Sequence, residues 1–350
     1  MLSISQRKNI AIFLSLYGLS HALIDASCAF LVLGAISVKT NIWVVIVLYN
    51  ALAFGLQVPF GMLLDKYCYP RFVTITGLLL VVAAYLGLIL PMMVAILAGV
   101  GNALFHVGGG KVSLQINSKK AIYPGLFVAP GGIGLVIGIF LAKTNSLSLV
   151  YAFPICLIVM SIVLFFVKLP ELTLIEKSSK QTNNVNIIVL LLMLSIAVRS
   201  VVGLTIQFPW KTHIPLLIIL TTAIAFGKIL GGLFADKYGW MKIGLGGLVC
   251  SIPFLFFGTS TAIIGIIGIF LFNFTMPITL VAISRELPNR AGFSFGLTTL
   301  ALFVGAIPSF TQYKKWFSQQ WIVVALIVIA SITFFTALKV MKNKDTDTVE

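Results

Sequence analysis

Six ionisable side chains sit inside otherwise apolar runs of this 350-residue chain: His21, Asp25, His106, Lys111, Arg199 and Lys228. An ionisable group among hydrocarbon side chains is expensive to place, so each is a candidate for chemistry by default. His21 and Asp25 are four residues apart and share one helix face. An imidazole titrates near neutral pH and a desolvated carboxyl can take up a proton, so the pair could relay or store protons. A static hydrogen-bonded pair that fixes helix packing is the alternative. Arg199 carries a planar fork suited to a carboxylate or phosphate; a standing salt bridge to Asp25 is its alternative. His106 and Lys111 flank Gly108-Gly109-Gly110. They suit a cavity, or else a satisfied core histidine and a lysine that snorkels to the membrane face. Lys228 stands eight residues before Asp236 and is expected to gate or brace rather than touch solute.

Enzymatic motifs are missing. The chain has no HExxH and no P-loop, and only Asp25 among its acids lies deep in an apolar run. Two-carboxylate or metal chemistry is hard to build from that, so no catalytic residue, no cofactor and no metal is expected. The four cysteines, Cys28, Cys68, Cys156 and Cys250, are scattered and read as packing residues.

The elements that hold these residues follow from composition. The chain is 59% hydrophobic and 9% charged, with mean hydropathy +1.10. A soluble surface cannot be made from so few polar residues, so the outer solvent is lipid. Twelve apolar spans are expected at about 9–35, 42–64, 71–90, 92–115, 121–142, 147–168, 187–207, 214–235, 241–258, 260–284, 291–312 and 318–340. Each is near the roughly 20 residues a membrane helix needs. The first carries Asp25 and is too long for a signal peptide. Residues 169–186 form the one polar linker, separating a six-helix half at 1–168 from another at 187–350. The +15 net charge would suggest nucleic acid in a soluble protein, but here the basic residues cluster at span ends. Placing both termini in the cytoplasm puts 17 of the 24 Lys and Arg residues on that side and 5 outside. The expected location is a bacterial cytoplasmic membrane, with the chain working as a monomer.

The halves repeat. Gly61-Met-Leu-Leu-Asp65-Lys66-Tyr67 ends span two and Gly232-Leu-Phe-Ala-Asp236-Lys237-Tyr238 ends span eight, at a constant offset of 171. The small residue permits close helix approach. The Asp can accept from N–H groups at a neighbouring helix N-terminus, or pair with bases nearby. Such a contact can hold one conformation and release it in another.

With Lys242 and Arg71 following, these segments resemble the loop 2–3 signature of the major facilitator superfamily. The first copy departs from it at Cys68, where glycine is usual. The resemblance implies twelve helices as two six-helix pseudo-repeats around a central cavity lined by spans one, four, seven and ten. That places His21, Asp25, His106, Lys111, Arg199 and the neutral Asn273, Thr275 and Thr279 in the cavity set. The set leans cationic, so a small anionic or zwitterionic solute is expected. Span five, with Pro130, Gly131, Gly132, Gly134 and Gly138, is similar to the superfamily's antiporter motif, with close small-residue packing as the bland reading. HisAlaLeuIleAsp at 21–25, GlyAsnAlaLeuPheHis at 101–106 and ArgSerValValGly at 199–203 resemble fosmidomycin-resistance-type efflux proteins. The expectation is a secondary active transporter working by alternating access, with proton-coupled efflux through Asp25 and His21. Uptake by the same fold and a non-transporting sensor remain the alternatives.

Overall fold

The computed structural model describes residues 3–36, 41–144, 149–172 and 184–347. Lys39 and most of the 169–186 linker, with Lys177 and Lys180, lie outside the described residues. Among the described residues there are no strands. Twelve long apolar segments follow one another: α1 Ile4–Ala35, α2 Ile42–Tyr67, α3 Pro70–Leu86, α4 Pro91–Gln115, α5 Ile122–Lys143 and α6 Leu149–Phe166. Then come α7 Val185–Thr205, α8 Ile214–Tyr238, α9 Trp240–Phe257, α10 Ala262–Glu286, α11 Ala291–Phe310 and α12 Gln320–Asp347. The twelve expected spans coincide with these segments, which makes the chain a multi-span helical membrane protein.

Their outer faces are as apolar as their inner ones. In α6, Phe153, Leu157, Met160 and Leu164 are buried, while Tyr151, Ile155, Ile162 and Phe166 on the opposite stripe are exposed. A helix that is hydrophobic all round and half exposed is a helix facing lipid.

Two spans expected to be continuous are broken. α2 interrupts at Leu56 and α10 at Asn273–Phe274. In each case the helix opens beside the residue four before a proline, Gly55 before Pro59 and Asn273 before Pro277. Proline supplies no N–H to the carbonyl four residues back and its ring crowds that carbonyl, so the helix opens there. Asn273 turns its own amide back onto the Ile269 carbonyl at 2.8 Å, covering a group near the break.

The contacts cluster into two compact units. The first comprises Met1–Asn117, Leu126–Thr173 and Arg290–Thr299; the second comprises Ser118–Gly125, Leu174–Asn289 and Leu300–Glu350. Within the first, α3 packs on α4 and α6, α4 on α2 and α1, and α1 on α6. Within the second, α9 packs on α10 and α12, α10 on α8 and α7, and α7 on α12. Adding six to each number of the first set yields the second, so the repeat seen in two short strings extends to the packing of the helices.

Candidate functional site

In the first unit the polar side chains of α1 and α4 converge. His21 Nε2 lies 3.3 Å from Asp25 Oδ2, and His106 Nε2 lies 3.6 Å from Asp25 Oδ1. The two imidazoles meet edge to face with centroids 4.4 Å apart. Asn102 donates its amide to Asp25 Oδ1 at 3.0 Å. The His21 side chain is 5% exposed, whereas His106 and Asp25 keep 13% and 18%, so the group opens on one side.

Helix geometry assembles it. His21 and Asp25 stack one turn apart on α1, and Asn102 and His106 one turn apart on α4. Gly131 of α5 makes the room: a Cβ there would fall on the His21 ring and 2.7 Å from Asp25 Oδ2. Gly134 and Gly138 lie against the backbone of Ala22 and Ala26 in α1, and Pro130 lies against Gly18. The α5 glycines thus let the two helices approach to backbone contact; Gly132, between them, is half-buried.

Both rings are held from behind. His21 Nδ1 is 2.8 Å from the Phe127 carbonyl, and His106 Nδ1 is 2.8 Å from the Asn102 carbonyl. A carbonyl only accepts, so each Nδ1 carries the hydrogen and donates. Each neutral ring then presents its Nε2 lone pair to Asp25.

Arg199 of α7 belongs to the second unit. It is 7% exposed. Nη1 donates to Thr275 Oγ1 at 2.5 Å, Nη2 to Thr279 Oγ1 at 3.0 Å, and Nε to the Ser195 carbonyl at 3.3 Å. These partners are neutral. Within its own unit Asp25 is partnered by the two histidines and Asn102, and Arg199 by two α10 hydroxyls and a carbonyl. Asn273 sits two residues before Thr275, at the helix break.

Lys111, grouped with the cavity residues from sequence, is placed elsewhere. It is 2% exposed, and Nζ donates to Asp65 Oδ1 at 2.9 Å and to the Leu64 carbonyl at 3.1 Å. Asp65 also accepts from the backbone N–H groups of Gly292 (2.9 Å) and Phe293 (2.8 Å), at the start of α11. In the second unit Asp236 accepts from Ala121 N–H at 2.7 Å and Ile122 N–H at 3.0 Å, at the start of α5. Each carboxylate thus covers two N–H groups that a helix leaves without internal partners, at its positive end. Gly61 and Gly232 allow this: a Cβ on either would strike the backbone of Gly292 or Ala121. Arg71 donates to the carbonyls of Phe165 (3.2 Å) and Val167 (2.6 Å), at the end of α6. Lys66 and Lys237 lie over the rings of Tyr67 and Tyr238 at 5.2 and 5.0 Å. Lys228 is half-buried, its carbonyl facing Gly125.

Sequence reasoning passed over Asn102, and it offered helix N-terminal N–H groups as partners for the two aspartates without identifying Gly292, Phe293, Ala121 and Ile122. Asn102 had a signal, since it stands four residues before His106. Backbone donors have none.

A cleft of about 790 Å³ opens in the second unit between the α7–α8 and α11–α12 connections. Lys211, Lys314 and Lys315 line it with Gln207 and Gln312. Partial desolvation, and then the neighbouring Lys314, hold the Lys211 amine below the usual lysine range.

No family model matches the chain, and no curated protein matches it in sequence. Solved structures do match. The Escherichia coli fucose:proton symporter FucP aligns with TM-score 0.71 and 11% identity, over 94% of this chain and 99% of that one. The human organic anion transporter MFSD10 aligns at 0.65 and 14% identity, over 96% and 100%. A bacterial homologue of the iron transporter ferroportin aligns at 0.61 and 13% identity, over 93% and 99%. The chain has the fold of the major facilitator superfamily transporters: twelve helices in two six-helix pseudo-repeats.

Proposed function

We propose that this protein is a secondary active transporter that moves a small anionic or zwitterionic solute across the membrane by alternating access. The observation that carries the reading is the repeated clamp, Asp65 on the α11 N-terminus and Asp236 on the α5 N-terminus. Each clamp is a few charge-assisted hydrogen bonds at a helix end, which can form in one conformation and break in another without unfolding either helix. Gly61, Asp65, Lys66, Arg71, Lys228, Gly232, Asp236 and Lys237 are the gating set.

The solute's charge is read from Arg199. A buried guanidinium held by hydroxyls and a carbonyl keeps its positive charge uncompensated by an acid at hydrogen-bonding distance. An anionic group on the solute would supply the missing partner. The lysine-lined cleft favours the same sign. The structures of matching fold are a fucose:proton symporter, an organic anion transporter and a homologue of an iron transporter, so fold does not choose among solutes.

Coupling to protons is assigned to the His21–Asp25–His106 trio, whose convergent acceptors call for a cation. Efflux is favoured over uptake because Gly131, Gly134 and Gly138 seat α5 on α1 in the manner of the exporter motif, and the short strings around Asp25, His106 and Arg199 resemble the fosmidomycin-resistance type. Both termini are placed in the cytoplasm on the Lys and Arg distribution. The test is flux in proteoliposomes with an imposed pH gradient, screened with anionic, zwitterionic and cationic solutes. Movement of an anion against its gradient, driven by protons, is expected. Carriage of organic cations alone would reject the anionic assignment. Catalysed flux indifferent to the pH gradient would reject proton coupling. A folded protein that moves nothing would favour the sensor reading.

A further inference from the structure

We infer that His21, Asp25 and His106 form a binding site for a divalent transition-metal ion of the zinc and cobalt class. The donor set is unlike a chance acidic cluster, because two imidazoles and one carboxylate place their ligand atoms within 4.8 Å of one another. Their orientation is decided by the bonds behind them. With both Nδ1–H groups committed to the carbonyls of Phe127 and Asn102, both Nε2 atoms face the Asp25 oxygens, each through a lone pair when its ring is neutral. Lone pairs facing a carboxylate repel unless a cation stands between them.

One proton answers only half of this arrangement. On either ring it joins one nitrogen to one oxygen and leaves the other lone pair facing the second oxygen. A metal ion satisfies all three ligands together. Metal–nitrogen and metal–oxygen bonds of about 2.1 Å at a tetrahedral angle separate ligand atoms by about 3.4 Å. The observed pairs are 3.3 and 3.6 Å apart. Imidazole nitrogen with carboxylate oxygen suits zinc, cobalt and similar borderline ions, and three protein ligands leave a position for water or solute on the open side. The outer support is also of the usual kind: each ring's second nitrogen is tied to a carbonyl, and Asn102 braces the carboxylate. The absence of a metal expected from sequence rested on Asp25 being the one acid deep in an apolar run, whereas this site adds imidazoles from α1 and α4 to that single carboxylate. The inference stands on geometry alone and does not depend on the transport reading.

The experiment is metal binding to the purified full-length protein in detergent, tag-free and stripped with chelator, so that no flux is required. Calorimetry with Zn²⁺ should give one equivalent per chain. Co²⁺ should give the visible absorption of a four- or five-coordinate complex. His21→Gln, Asp25→Asn and His106→Gln should each weaken binding at least about ten-fold. His213→Gln is the internal control, because His213 is exposed and is the one remaining histidine of three. No saturable Zn²⁺ binding by monodisperse wild type, binding that survives Asp25→Asn and His106→Gln, or equal loss in His213→Gln would overturn the site. Should the variants not fold, the wild-type Co²⁺ spectrum decides, and the pale spectrum of the hexaaqua ion counts against it.

Discussion

Lys111 donates a 2.9 Å hydrogen bond to Asp65, and the two side chains keep only 2% and 9% of their surface exposed. The same carboxylate covers the first N–H groups of α11, so a lysine on α4, the end of α2 and the start of α11 meet at one carboxylate. Removing Lys111 takes the counter-charge from a carboxylate that then keeps only its backbone N–H donors. Lys111→Ala is expected to destabilise the protein by about 3–5 kcal/mol, read from thermal unfolding in detergent. The double change Lys111→Met with Asp65→Leu should recover part of that loss and still impair transport, because the helix-end contact is gone.

The second clamp, Asp236 on the first N–H groups of α5, is a direct probe of mechanism. Asp236→Asn keeps the shape but halves the acceptors and removes the charge that favours the α5 N-terminus. The expected result is a stability loss near 1 kcal/mol with a much larger drop in transport rate. Unchanged flux would remove the clamp from the transport cycle.

Gly131 should tolerate no side chain. In Gly131→Ala the methyl group must displace His21 or the Asp25 carboxylate. Loss of flux in a protein that still purifies as a monodisperse species is the expected outcome. Gly203, on an exposed face of α7 with open space around it, is the comparison. Gly203→Ala should raise helix stability by up to about 1 kcal/mol and leave flux intact.

Cys68 occupies the position where the second repeat has Gly239. Its φ is 57° and that of Gly239 is 102°. A side chain in the left-handed region is strained by about 1–2 kcal/mol, of which Gly gives back part through its freer unfolded chain. Cys68→Gly is therefore expected to leave the unfolding midpoint unchanged or slightly higher, while Gly239→Ala lowers it.

Arg199→Lys keeps the charge and loses the fork that reaches Thr275 and Thr279 together. If an anionic solute binds there, kcat/KM should fall by about 10–100-fold, the worth of one or two charged hydrogen bonds. An effect no larger than that of an exposed lysine substitution would place the solute elsewhere.

Much of this molecule is readable in one dimension. Hydrophobic length marks all twelve helices, because a lipid solvent demands that every backbone group be satisfied inside its own segment. Pro59 and Pro277 mark the two breaks in retrospect. The i, i+4 spacing of His21 with Asp25, and of Asn102 with His106, announces which side chains share a face. Lys111 shows the limit: from sequence it belongs with His106 five residues earlier, yet five residues turn a helix by more than one full turn, and it faces Asp65.

What the sequence determined by itself was the solvent, the number of helices and the duplication, since composition, span length and a 171-residue offset are properties of the chain. The partners of Asp65 and Asp236 were decided only by tertiary structure. Their donors are backbone N–H groups 227 and 115 residues away, and every residue but proline carries the same N–H. The same holds for the trio around Asp25. Its residue types are written in α1 and α4, but the tautomers that aim two lone pairs at one carboxylate are set by carbonyls that only the folded helices bring within reach.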